Sequence, residues 1–299
     1  MKVVVAGSRG ALGERLVRAL TAPSIGSGAD ETVGVDFRAD GESERDRSEL
    51  ASADVVINVG GPRVRPGLTA SDYLREHVGV TETVARAMRR GAHLVHVSST
   101  AVFGSRGVAL SADSEPMPER FPMPEYAHAK WAAERQATEL ARSLGLALSV
   151  VRPSMVYGPD VDSALQTLLR LGRRRVSLRL LPGRLYQHLL HIELLIAAMA
   201  RLVRTPTGPR PLLLADPFVL ENRDLRLRGR AAAVVPIPLG AVRRSEALWS
   251  GRVRGGLRLP SLAVLAMSNV FAVEETFQRL GLAPHDFSRP LTFDRYFHA

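Results

Sequence analysis

The chain opens on a strand, a glycine turn and a helix in immediate succession, and this junction restricts its fold more than any other feature. Lys2 to Ala6 is an apolar, β-prone run, after which Gly7, Gly10 and Gly13 recur at three-residue intervals in Gly7-Ser8-Arg9-Gly10-Ala11-Leu12-Gly13. Glycine allows the tight turn, lets backbone N–H groups approach a pyrophosphate, and lets a helix pack close against a strand; the helix N-terminus favours the negative charge. The segment predicts a dinucleotide-binding loop with Gly7, Arg9, Gly10, Ala11, Leu12 and Gly13 as its contacts.

Further apolar runs follow at Thr32 to Val35, Asp54 to Val59, His93 to Val97 and Ala147 to Val151. Between them, apolar residues at three- and four-residue spacing predict helices over 11–21, 70–90 and 126–144. Such alternation predicts an α/β fold: a Rossmann-type, doubly wound parallel sheet with a smaller C-terminal substrate-binding part. We place the dinucleotide-binding domain at 1–158 and the substrate-binding part mainly at 159–299, with elements free to return to the sheet. Beyond Tyr157 the alternation weakens into a Leu/Arg-rich helical region from Leu165, a strand-like Leu212 to Leu214 and a Pro/Gly-punctuated tail.

At 299 residues and 45% hydrophobic content, the chain can bury a full core. The absence of cysteine excludes disulfides and thiolate metal sites, and no metal site is expected. The net charge of +10 invites a nucleic-acid reading. The arginines are spread along the whole chain rather than clustered, so no nucleic-acid partner is expected. The apolar run after Lys2 is too short for a signal-peptide core. The longest uncharged stretch, Leu259 to Val273, is interrupted by Pro260, Ser261, Ser268 and Asn269. It falls short of the roughly 20 residues that span a bilayer. The expectation is a cytoplasmic protein with no membrane partner.

Asp36 ends the second strand, where a carboxylate commonly accepts from the adenosine ribose 2′-hydroxyl and repels a 2′-phosphate, favouring NAD(H). Arg9 and Arg38 lie where a guanidinium could instead grip the 2′-phosphate of NADP(H). Both cofactors remain open. Tyr126 and Lys130 stand four residues apart at the start of a predicted helix, on one face and one turn apart, and Lys130 is one of only two lysines, with Lys2. A neighbouring ammonium stabilises a tyrosinate, so the phenol is expected to titrate below its usual value of about 10 and to exchange protons near neutrality.

These features resemble the extended branch of the short-chain dehydrogenase/reductase superfamily, the NAD-dependent epimerase/dehydratase family. The resemblance is carried by Gly7 to Gly13, Asp54 to Gly61, Val97-Ser98-Ser99-Thr100-Ala101-Val102-Phe103-Gly104, Tyr126 to Lys130, Val151 to Pro159, and His191-Ile192-Glu193, in family order. It implies that Ser99 orients a reacting carbonyl, with Ser98 as its competitor. Tyr126 is then the general acid, Lys130 binds the nicotinamide ribose, and Pro153 packs beside the nicotinamide. Gly60 and Gly61 join the cofactor loop.

Four departures bear on the reaction. His77 stands where relatives often have asparagine, which puts the usual water-bridged proton relay in doubt. The span from Asp36 to Asp54 has no room for a further strand and helix, so that sheet edge looks pruned and Asp46 is a poor adenine contact. Thr100 and Ala101 replace the Asp-Glu pair of dehydratases, removing the acid and base of elimination. Gln187 and His188 occupy the place of a diphosphate-holding arginine, though Arg170, Arg173, Arg174, Arg175, Arg179 and Arg184 offer other cations if they are not a solvated helix face.

The resulting expectation is a ketoreductase acting on a bulky biosynthetic ketone, with Pro236 to Val273 as an apolar cover. A nucleotide-sugar 4-epimerase or 4-ketoreductase is the alternative, and a non-catalytic dinucleotide sensor a further one. A homodimer through 70–90 or 126–144 is left open.

Overall fold

The computed structural model describes residues 1–37, 43–64, 67–107, 109–161, 163, 165, 176–181, 185–221, 224, 233–238 and 267–297. The calls made on Arg38, Arg170, Arg173, Arg174, Arg175 and Arg184, and on most of the Pro236 to Val273 cover, lie outside those residues.

Six strands form the central sheet: β1 Lys2–Ala6, β2 Glu31–Val35, β3 Val55–Asn58, β4 His93–Val97, β5 Ala147–Pro153 and β6 Gly208–Leu214. Their order is β6-β5-β4-β3-β1-β2, and every pairing is parallel. Helices α1 Ala11–Thr21, α2 Glu44–Ser52, α3 Ala70–Leu74, α4 Val80–Ala87, α5 Pro124–Leu144 and α6 Ile192–Arg204 supply the crossovers. One face of the sheet, with Val3, Val5, Ile57 and Val95, packs on Leu16 and Leu20 of α1 and on the apolar side of α6. The other, with Val4, Val56, Leu94 and Val150, packs on Leu50 of α2, Val84 of α4 and Ala137 and Leu140 of α5. Strands buried on both faces explain the continuous Val/Ile/Leu runs that replace alternation.

The pruned edge is seen directly. Helix α2, capped by Ser43, leads from β2 back to β3, and β2 is the sheet's edge strand. One reading is corrected. Val176–Leu181 lies within the stretch expected to be helical but is a strand, paired in parallel with Ala233–Pro238; its β-branched start and alternating Val-Ser-Leu-Arg-Leu pattern suit an extended backbone. The helix expected over 70–90 is also broken: between α3 and α4, residues Arg75–Gly79 form a π-helical turn.

Candidate active site

The glycine turn has the shape that its composition predicts. Gly7 holds a φ of +95°, and a Cβ there would meet the Gly60 backbone at 2.9 Å. A Cβ on Gly13 would lie 2.1 Å from the Gly7 carbonyl oxygen. The turn, the first turn of α1 and the Val59–Gly60 backbone thus meet with no side chain between them. Gly10 is the N-cap of α1 and places no side-chain acceptor on its first N–H groups, which include Ala11 and Leu12. This cradle fits a dinucleotide pyrophosphate. At the end of β2, the Asp36 carboxylate accepts from Ser8 Oγ at 2.7 Å and from the Arg9 N–H at 3.0 Å. The Arg9 side chain is exposed, its Nε 3.6 Å from Asp36.

The proposed catalytic side chains come from the turn after β4 and from helix α5. Ser99 follows β4 and caps the turn Thr100–Phe103, its Oγ accepting from Ala101 N–H at 3.1 Å. Helix α5 begins with Pro124, whose fixed φ suits a first helical position, and ends on the left-handed Gly145. Tyr126 therefore enters in the first turn, with Lys130 on the same face. The Ser99 hydroxyl stands close enough to the Tyr126 phenol to act on its titration. The neighbouring Ser98 Oγ is buried and has no partner among the described residues. Lys130 is buried, and its Nζ donates to the Val97 carbonyl at 3.1 Å.

The protonation expected of this group is corrected. Burial pushes the Tyr126 phenol up to about 12, against the lowering pull of the nearby Ser99 hydroxyl. Burial also brings Lys130 down to about 8. The ammonium faces a backbone carbonyl rather than the phenol, so desolvation outweighs charge stabilisation.

Around Tyr126 stands an aromatic box. Its ring meets Tyr73 edge-on at 5.8 Å, His77 edge-on at 5.6 Å and Phe121 at 6.2 Å. Below it, a buried ion pair fastens α5 to β5: Arg152 donates through Nε and Nη2 to the Glu134 carboxylate at 3.0 and 2.6 Å. The Arg152 guanidinium also lies over the Phe103 ring at 4.9 Å. The pair joins the Ser99 turn, the Tyr126 helix and the strand that carries Pro153. Glu134 follows Lys130 by four residues on the same helical face, a spacing from which it could have been read.

Over residues 3–211 the sequence matches the model of the NAD dependent epimerase/dehydratase family. The chain belongs to that family. The spore coat polysaccharide biosynthesis protein SpsK of Bacillus subtilis (strain 168) is 26% identical over 197 residues, which cover 62% of this chain and 63% of that protein. The chain thus matches somewhat under two-thirds of that relative's length. Among solved structures, UDP-glucuronic acid 4-epimerase from Bacillus cereus in complex with NAD superposes with a TM-score of 0.70 at 16% identity, covering 95% of this chain and 94% of that one. The dTDP-glucose 4,6-dehydratase DesIV from Streptomyces venezuelae with NAD bound gives 0.69 at 16% identity, covering 95% and 92%. At these identities the likeness is one of fold.

Where relatives were expected to hold a diphosphate through arginine, this family member turns both side chains inward. Gln187 Nε2 donates to the Met267 carbonyl at 2.6 Å. His188 Nδ1 accepts from Phe271 N–H at 3.0 Å, which leaves Nε2 as the donor to the Asp216 carbonyl at 2.6 Å. His191 caps α6 beneath Tyr157 and Gly158. The described residues contain no cluster of metal-ligand type, and none of their helices is long and apolar enough to cross a membrane.

Proposed function

We propose that the chain is an NAD(P)H-dependent ketoreductase acting on a ketone of a biosynthetic intermediate. The observation that carries this reading is the placement of the Ser99 hydroxyl beside the Tyr126 phenol with Lys130 one helical turn on, next to a turn that has Thr100 and Ala101 where elimination needs an acid and a base. The glycine cradle would hold a nicotinamide dinucleotide, whose reduced form would supply the hydride. Ser99 Oγ and the Tyr126 phenol both donate to the substrate carbonyl oxygen and polarise it. Tyr126 then gives its proton to the alkoxide, and Lys130, one helical turn on, would hold the nicotinamide ribose. Pro153, at the end of β5, would pack beside the nicotinamide. Asp36 at the ribose end favours NADH, while the exposed Arg9 leaves room for NADPH.

A second reading, epimerisation or 4-ketoreduction of a nucleotide-linked sugar, is favoured by what the similar proteins are named for. The inward-turned Gln187 and His188 weigh against it. The test is oxidation of NADH and NADPH by the purified protein against polycyclic ketones and nucleotide-linked 4-keto sugars, followed by the absorbance of the reduced nicotinamide. Stoichiometric oxidation by one class establishes reduction and names the substrate. Interconversion of nucleotide sugars with no net cofactor consumption replaces reduction with epimerisation.

A further inference from the structure

His77 is the residue by which this chain departs from its relatives' expected asparagine, and its surroundings are specific. It sits in the middle of the π-helical turn Arg75–Gly79, and turns of this type concentrate at functional sites. Its ring is 2% exposed, parallel to Tyr73 with centroids 6.2 Å apart and edge-on to Tyr126. Nε2 lies 3.1 Å from the Pro62 carbonyl oxygen. Gly61 holds a φ of +100°, and a Cβ there would stand 2.1 Å from His77 Nδ1, so the loop backbone is cut back to seat the imidazole. Burial, with the facing Lys130 charge and then His96, keeps the imidazole neutral, down to about 2. A neutral ring donates from one nitrogen, and the Pro62 carbonyl takes the Nε2 proton.

These contacts form an unbroken path. The Gly7 turn abuts Gly60, Gly61 abuts His77, and His77 abuts Tyr126. We propose that His77 is a positioning residue that ties the Tyr126 ring to the Gly60–Pro62 loop, so that seating of the dinucleotide and setting of the proton donor are one event. The inference rests on the cofactor reading above and adds a residue to it. The imidazole contributes ring packing on one side and a directed hydrogen bond on the other. Phenylalanine reproduces the first and not the second.

The test uses ADP-ribose, which carries the adenosine and pyrophosphate but no nicotinamide, so that any effect on Tyr126 must travel through the protein. The full-length chain is labelled isotopically at tyrosine Cζ, Tyr126 is assigned from the Tyr126→Phe variant, and its resonance is followed near neutral pH as ADP-ribose is added, with binding measured by calorimetry. The expected result is a shift of the Tyr126 signal in the wild type that is lost in His77→Phe, although His77→Phe still binds ADP-ribose. With a substrate in hand, kcat of His77→Phe falls on the order of tenfold while KM for the cofactor changes little. An equal shift in His77→Phe, or binding with no shift in the wild type, overturns the role of His77. Failure of the wild type to bind ADP-ribose strikes instead at the cofactor reading. Should His77→Phe fold poorly, His77→Gln, which keeps an N–H donor, is expected to retain part of the shift.

Discussion

Two tyrosines, the partly buried Tyr126 and the fully buried Tyr157, show how environment sets the use of one side chain. Tyr126 meets a hydroxyl, that of Ser99, at the mouth of the dinucleotide cradle, with an ammonium one turn away. Tyr157 is fully buried and donates its phenolic proton to the Asp216 carboxylate at 2.7 Å. The same carboxylate accepts from the His191 N–H at 2.8 Å, while the rings of His191, Phe293 and Tyr296 surround the phenol. Burial, with the Asp216 charge beside it, pushes Tyr157 out of the range of any proton exchange. Both tyrosines lose hydration, but only Tyr126 keeps a partner that can share a substrate oxygen. Tyr157 is a tie between the Val156–Tyr157 strand and the C-terminal turn.

The contrast predicts opposite phenotypes. Tyr126→Phe is expected to lower kcat by on the order of a thousandfold in the NAD(P)H oxidation assay, with a thermal midpoint close to wild type; comparable activity in the variant would remove Tyr126 from its role. Asp216→Ala strands the Tyr157 hydroxyl and the His191 N–H in the interior. Denaturant titration should show a loss of about 3 kcal/mol. An unchanged midpoint would show that the junction is not the tie described.

Acid sensitivity separates the regions further. His77, His93, His96 and His191 are held neutral by burial, at about 2, 4, 3 and 4. They charge readily once unfolded, near 6.5. Their contribution is therefore complete above about pH 6.5 and is lost as pH falls toward 4. Asp216, raised to about 7 by burial, works the other way: its protonated form is favoured in the fold, so its contribution grows as pH falls from about 7 to 4. The thermal midpoint should drop between pH 6.5 and 4, more steeply in Asp216→Asn and less steeply in His96→Leu. The smallest effect is that of Tyr157→Phe, a loss of about 1 kcal/mol with kcat unchanged. A large fall in kcat there would abolish the division between the two tyrosines.

Local signals made the sheet and the catalytic spacing readable. Each central strand is a short apolar run between turn residues, and Tyr126 and Lys130 lie on one turn of one helix. The π-turn at Arg75–Gly79 leaves no such trace, because one added residue in a helical pattern barely disturbs its periodicity. The Glu134–Arg152 pair and the Tyr157–Asp216 bond join residues 18 and 59 positions apart, so only the packed fold reveals them. The Tyr126 protonation was misjudged for a related reason. Spacing placed Lys130 nearby, but the direction of its Nζ is set by the Val97 carbonyl on another strand.

The truncated flank of the sheet bears on how long a coenzyme stays. Asp36 follows directly on the edge strand β2, and no further strand lies beyond it among the described residues. An adenosine moiety seated there would lie beside the edge strand, with no further strand outside it among the described residues. An enzyme that regenerates its coenzyme internally gains from a long residence time, whereas one that spends a hydride each cycle must discharge the oxidised form before the next. On the proposed reductase reading, an edge without an outer strand would shorten the escape route of the oxidised form, as a diffusible co-substrate requires.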